Sequence, residues 1–243
     1  MVDVLKLAAN AYIRNWRIVS FFSIPFFLAF LIQILVPTPT YVAMGATFLR
    51  TGSMYVDLTT FDLALIVASF LISLLLVSFA VVAINLVIKS QRTFTNIRKE
   101  VMDGLEKYVV NVFWLYLSAW ALMLIVNLIG YEFELNSWLM PAFGLLISLP
   151  LFYAPTAMVI DEYRPVVAMR ASLGMIKRQP LMFLTWLVIG IAALTLLDVI
   201  FIALAGFIPY ARYFVLIANS FFVLPFLIML QVQIYLTKYT ILK

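Results

Sequence analysis

One carboxylate, Asp198, stands inside LTLLDVIFI, residues 194–202, a run otherwise made of leucine, isoleucine, valine, phenylalanine and threonine. A charged side chain near the middle of a membrane helix costs about 2.5–3.5 kcal/mol on insertion scales, so it is expected to face protein or water and to bind something there. Shifts of 72 and 164 residues carry Asp198 onto Val126 and Ile34, immediately beside Asn127 and Gln33. The three residues define a candidate polar tier at similar depth in three spans, suited to a solute, an ion or a proton. Arg212 and Arg50 are the candidate counter-charges. A second reading stays open, in which the same side chains are hydrogen-bonding links between helices.

Prolines supply the next chemistry. Pro150 and Pro155 in SLPLFYAPTA, and Pro225 in VLPFLIM, each remove a helical hydrogen bond and free a carbonyl. They are candidate helix breaks or hinges, with freed carbonyls that line a cavity or are satisfied by neighbours. The acidic pair Asp161 and Glu162, beside Arg164, reads as favourable charge at the start of the following helix.

Catalysis finds no motif. The chain has no histidine and no cysteine, which excludes disulfides, thiol nucleophiles and the usual zinc sites. There is no phosphate-binding lysine loop, no GxGxxG after a strand and no paired-aspartate pattern. No enzyme activity, cofactor or metal is therefore expected.

The elements that carry these residues follow from composition. Of 243 residues, 66% are hydrophobic and 11% charged, against about half and about a quarter in soluble domains. Long apolar runs, rather than short alternating segments, predict helices that cross the membrane. Six spans are expected, at 18–36, 63–88, 109–129, 139–160, 181–205 and 213–236. No removable signal peptide is read at the start. Of the 16 lysines and arginines, all but Arg50 and Arg212 fall on one side of these spans. The positive-inside rule then puts both termini in the cytosol and the protein in the cytoplasmic membrane. A net charge of +5 is accounted for by anionic lipid headgroups at that face, and no nucleic-acid motif is present.

Three amphipathic segments precede the outward spans. FTNIRKEVMDGLEKY spaces Phe94, Ile97, Val101, Leu105 and Tyr108 by three and four residues. PVVAMRASLGMIKRQ does so through Val166, Met169, Leu173 and Ile176, and the N-terminal segment through Leu5, Ala8, Tyr12 and Trp16. Each predicts a cytosolic interfacial helix. The expected fold is all-α, one membrane domain over 1–243, with an approximate three-fold repeat of units 1–90, 91–161 and 162–243. Offsets of 72, 75 and 164 pair Trp114 with Trp186, Pro150 with Pro225, and Arg14 with Arg178. The long outer segment 37–60 reads either as a lid or as a surface loop.

The stretch IDEYRPVVAMRASLGMIKRQPLMFLTWL resembles polytopic proteins related to the membrane domain of glycerophosphodiester phosphodiesterases, through Glu162, Pro165, Ala168, Arg170, Ser172, Lys177 and Arg178. The resemblance covers the last third of the chain. It implies an all-helical membrane module and transfers no catalytic residue.

Two functions fit this sequence. The first is a conduit or carrier component for a solute, ion or lipid, with the tier lining its path. The second is a non-catalytic membrane scaffold or machine subunit, for example in secretion or DNA uptake, holding protein partners, further copies of itself or lipids. A conduit requires a hydrated cavity at the tier. A scaffold has a dry core and an exposed apolar flank.

Overall fold

The structure, a computed structural model, describes residues 2–35, 59–93, 97–133, 138–208 and 210–239. Arg50, Phe94 and nearly all of the outer segment 37–60 lie outside the described residues, as does the Arg212 side chain. The described chain is helical. In order it forms α1 (Val2–Arg14), α2 (Trp16–Leu35), α3 (Thr60–Thr93), α4 (Ile97–Glu132), α5 (Leu139–Phe152), α6 (Ala154–Ile160), α7 (Pro165–Arg178), α8 (Pro180–Ala205) and α9 (Ala211–Ala218). A π-helical turn, Asn219–Val223, leads into α10 (Leu224–Leu236), and a 3₁₀ turn, Thr237–Tyr239, follows.

Six helical segments are long and apolar enough to cross a membrane: Trp16–Gln33, Thr60–Gln91, Lys99–Glu132, Leu139–Ile160, Pro180–Ala205 and Tyr213–Tyr239. Hydrocarbon offers the backbone no partner, so each apolar run closes its hydrogen bonds within itself as a helix. With six crossings, α1, α7 and the last turn gather at one end, called here the basic end.

The core lies toward that end. Residues 80–88 of α3 are all buried, enclosed by α2, α4, α6 and α10. Close approach of α3 and α4 depends on Gly104, where an added Cβ would stand 2.5 Å from a methyl of Leu86. In the opposite half, α3 and α4 expose Leu63, Leu65, Val67, Leu122, Ile125 and Ile129.

The stretch expected as a separate interfacial helix before the third span is instead the first three turns of α4. Nothing in the sequence around Tyr108 breaks a helix, and Val101, Leu105 and Tyr108 are buried on the side facing α3. At 1.5 Å per residue, α3 and α4 measure roughly 51 and 54 Å, well beyond about 30 Å of hydrocarbon. By contrast α1 and α7 are separate helices, ended at Asn15 and Gln179. Those two breaks stand 164 residues apart, the offset that pairs Arg14 with Arg178. Pro165 and Pro180 open α7 and α8, where a missing N–H and a preset φ suit the first helical turn.

Candidate functional site

The residues of the expected tier have separate surroundings. Gln33 donates through Nε2 to Ser73 Oγ at 3.0 Å, and Ser73 donates to the Ala29 carbonyl at 2.9 Å. That chain links α2 to α3. Asn127, on α4, has both amide atoms buried without a hydrogen-bond partner. Asp198 is exposed on α8, which packs mainly on α7, α9, α10 and the π-turn. Only 6% of the α8 span is enclosed, against 17 to 39% for the other five, so α8 is a flank of the molecule. Gln33 lies at the contact of α2 with α3, whereas α8 makes its main contacts with other elements.

Pro155 and Pro225 stand in the first turn of α6 and α10, while Pro150 lies inside α5. Tyr153 interrupts the fourth span between α5 and α6, with Pro150 before it and Pro155 in the first turn after it. Ser172, fully buried on α7, inserts its hydroxyl into this gap. It accepts from the Tyr153 N–H at 3.0 Å and donates to the Leu149 carbonyl at 2.9 Å. These two groups are the ends of the helical bond that would otherwise join residue 153 to residue 149. The neighbouring Phe152 carbonyl accepts from the Gln231 amide on α10. Around it the Phe152 ring meets Tyr153, Phe183 and Trp186 edge-on, with centroids 4.6 to 5.0 Å apart.

Pro225 acts in the same manner on the last span. Its missing N–H frees the carbonyl of Phe221, four residues earlier in the π-turn, and Tyr12 Oη of α1 donates to that carbonyl at 2.8 Å. Trp186 Nε1 donates to the Leu227 carbonyl at 2.8 Å, tying α8 to α10. The Leu149, Phe152, Phe221 and Leu227 carbonyls are thus each met by a side chain from another helix, which ties the breaks to their neighbours.

The acidic pair has a role that its place in the sequence did not suggest. Glu162 sits at φ 57°, a left-handed turn, and sends its side chain away from that of Asp161. Glu162 accepts from Lys89 Nζ of α3 at 2.9 Å and from Lys107 Nζ of α4 at 2.6 Å. Those hydrogen bonds hold its carboxyl down to about 2, although half of the side chain remains exposed. Asp161, almost fully buried, accepts from Tyr235, Lys238 and Tyr239. The Lys238 ammonium also lies 3.9 Å from the centroid of the Tyr235 ring. Two consecutive residues therefore fasten α3 and α4 on one side and the last helical turn on the other. Neither caps α7, whose N-cap Arg164 makes no side-chain capping bond.

Two clefts open at the basic end. One, of about 450 Å³, mixes Lys89, Lys99 and Lys107 with Glu100, Asp103 and Glu162. The other, of about 380 Å³, runs along α7 beside the last turn and includes Arg170, Gly174, Arg178 and Lys238. Neither is lined by Gln33, Asn127 or Asp198. Among the described residues no cluster of acids is arranged to hold a metal ion.

Comparison of the chain with family models, with curated proteins and with solved structures finds no match.

Proposed function

We propose that this integral membrane protein is a non-catalytic subunit that holds another membrane-embedded protein against α8, with Asp198 as the anchoring group. The observation that carries the reading is a carboxylate exposed on the least enclosed span. Hydrocarbon on that face leaves the acid unsatisfied, whereas a partner helix bearing a cation or a hydrogen-bond donor at the same depth satisfies it. A symmetric pairing of two copies through this face would set Asp198 against Asp198, so the occupant is a different chain. The conduit reading draws less support, because Gln33 is engaged with Ser73 and Asp198 faces outward. The distribution of lysine and arginine supports a cytosolic basic end in the cytoplasmic membrane. The likeness to the glycerophosphodiester phosphodiesterase membrane domain is consistent with a module that lacks catalysis.

Photo-crosslinking in native membranes tests the proposal, with the reactive side chain placed at Ile191, Thr195 or Ile202 on α8, and at Leu146 on α5 as a control. The expected result is a discrete protein adduct from α8 that survives Asp198→Asn and is lost in Asp198→Leu. Adducts to lipid alone, or a protein adduct indifferent to Asp198→Leu, overturn it. An adduct to a second copy would replace the different chain with a homo-oligomer.

A further inference from the structure

On α7, Arg170, Gly174 and Arg178 follow one another at steps of four and so lie along one face of the helix, about 6 Å apart per step. All three line the 380 Å³ cleft, together with Tyr163, Val167 and Lys238. Gly174 is the gap between the arginines: a Cβ built there meets no atom within 4 Å. Any larger residue would fill the floor over which two guanidinium groups can converge.

The charges are unequal in their freedom. Lys238 is already held by Asp161, whereas Arg170 and Arg178 are exposed and form no ion pair with an acid among the described residues. Guanidinium groups recognise phosphate by paired N–H donors, and Tyr163, which is exposed, lines the same space. The apolar margin identifies the rest of the occupant. Val166, Val167 and Leu173 are exposed beside the cleft, on a short helix that joins two spans at the basic end. A soluble phosphate ester has no use for that margin; a lipid does.

We infer that the Arg170–Gly174–Arg178 notch binds the phosphate of one anionic glycerophospholipid, whose acyl chains run along Val167 and Leu173. This site is independent of the α8 face.

Native mass spectrometry of the full chain in detergent, titrated with phosphatidylglycerol or phosphatidylcholine, tests it. One phosphatidylglycerol is expected to bind in preference to phosphatidylcholine. Loss of two charge-assisted contacts in Arg170→Gln/Arg178→Gln should weaken it at least about tenfold. Gly174→Leu, which leaves the charge unchanged, should weaken it to a similar degree. Lys177→Gln removes an exposed neighbouring cation outside the cleft and should leave it intact, with melting temperature confirming that each variant folds. Wild-type binding by Gly174→Leu, or an equal loss in Lys177→Gln, overturns the site, since only bulk charge would then matter. Displacement by millimolar glycerol phosphate overturns the lipid assignment in favour of a soluble phosphate ester.

Discussion

Ser172 and Tyr153 are joined by a hydrogen bond of 3.0 Å in which a side chain of one helix replaces a backbone partner in another. The same hydroxyl donates to Leu149. Ser172→Ala removes both bonds at a buried break, and a loss of about 1–3 kcal/mol is expected. Thermal unfolding in detergent measures the loss, and hydrogen exchange should rise first at Tyr153. Unchanged protection there would show that the break does not depend on Ser172.

Tyr12 and Pro225 should be coupled. Tyr12→Phe leaves the Phe221 carbonyl unpartnered, at a cost of about 1 kcal/mol. Pro225→Ala returns an N–H that can reach the same carbonyl. Tyr12→Phe should therefore cost less in the Pro225→Ala background, and a double-mutant cycle on unfolding free energy reads the difference. Strict additivity would refute the link.

Glu162 predicts an acid limb in stability. Its folded value, about 2, lies below the ordinary 4.5, so its contribution is complete above 4.5 and is lost as pH falls through about 2. Melting temperatures of wild type and Glu162→Gln should converge over that window. Parallel curves would mean that the Lys89 and Lys107 pairs contribute nothing.

Gly104→Ala should destabilise by about 1–3 kcal/mol, because Leu86 is fully buried and has no room to retreat. Combined with Leu86→Ala, the two changes should cost less together than the sum of their separate costs. Equal costs in both backgrounds would place the strain elsewhere.

Gln33 and Asp198 should respond differently in the purified, partner-free chain. Gln33→Leu removes the bond to Ser73 and should lower unfolding free energy by about 1 kcal/mol. Asp198→Leu removes an exposed group and should leave the melting temperature in place. A large loss from Asp198→Leu would assign that residue to packing within the chain.

What sequence made legible was set by the solvent. A bilayer fixes the length of an apolar run, so six spans could be read and five of them to within a few residues, whereas the third starts ten residues earlier, at Lys99 rather than 109. Which side chain meets a carbonyl near a break could not be read: Tyr12 stands 209 residues from Phe221, and Gln231 stands 79 from Phe152. Depth along α8 was readable for Asp198, but its exposure follows from how little of that span its neighbours enclose. The pattern Val101, Leu105, Tyr108 was correctly amphipathic, yet it gave no sign that its apolar face had a partner in α3. Asp161 and Glu162 looked like one charge cluster because the left-handed turn that separates them involves a residue type that seldom adopts it.

The order in which the chain is made gives the Asp161 contacts a temporal meaning. Lys238 follows Asp161 by 77 residues, and Tyr235 and Tyr239 are its close neighbours in sequence. When the fourth span leaves the ribosome, none of the three donors to that acid has been synthesised. Asp161 must remain hydrated while two further spans are inserted, and the basic end closes only when the final turn reaches it. A nascent chain stopped before residue 235 would hold all but the end of its last span and still lack the fastening that completes the fold.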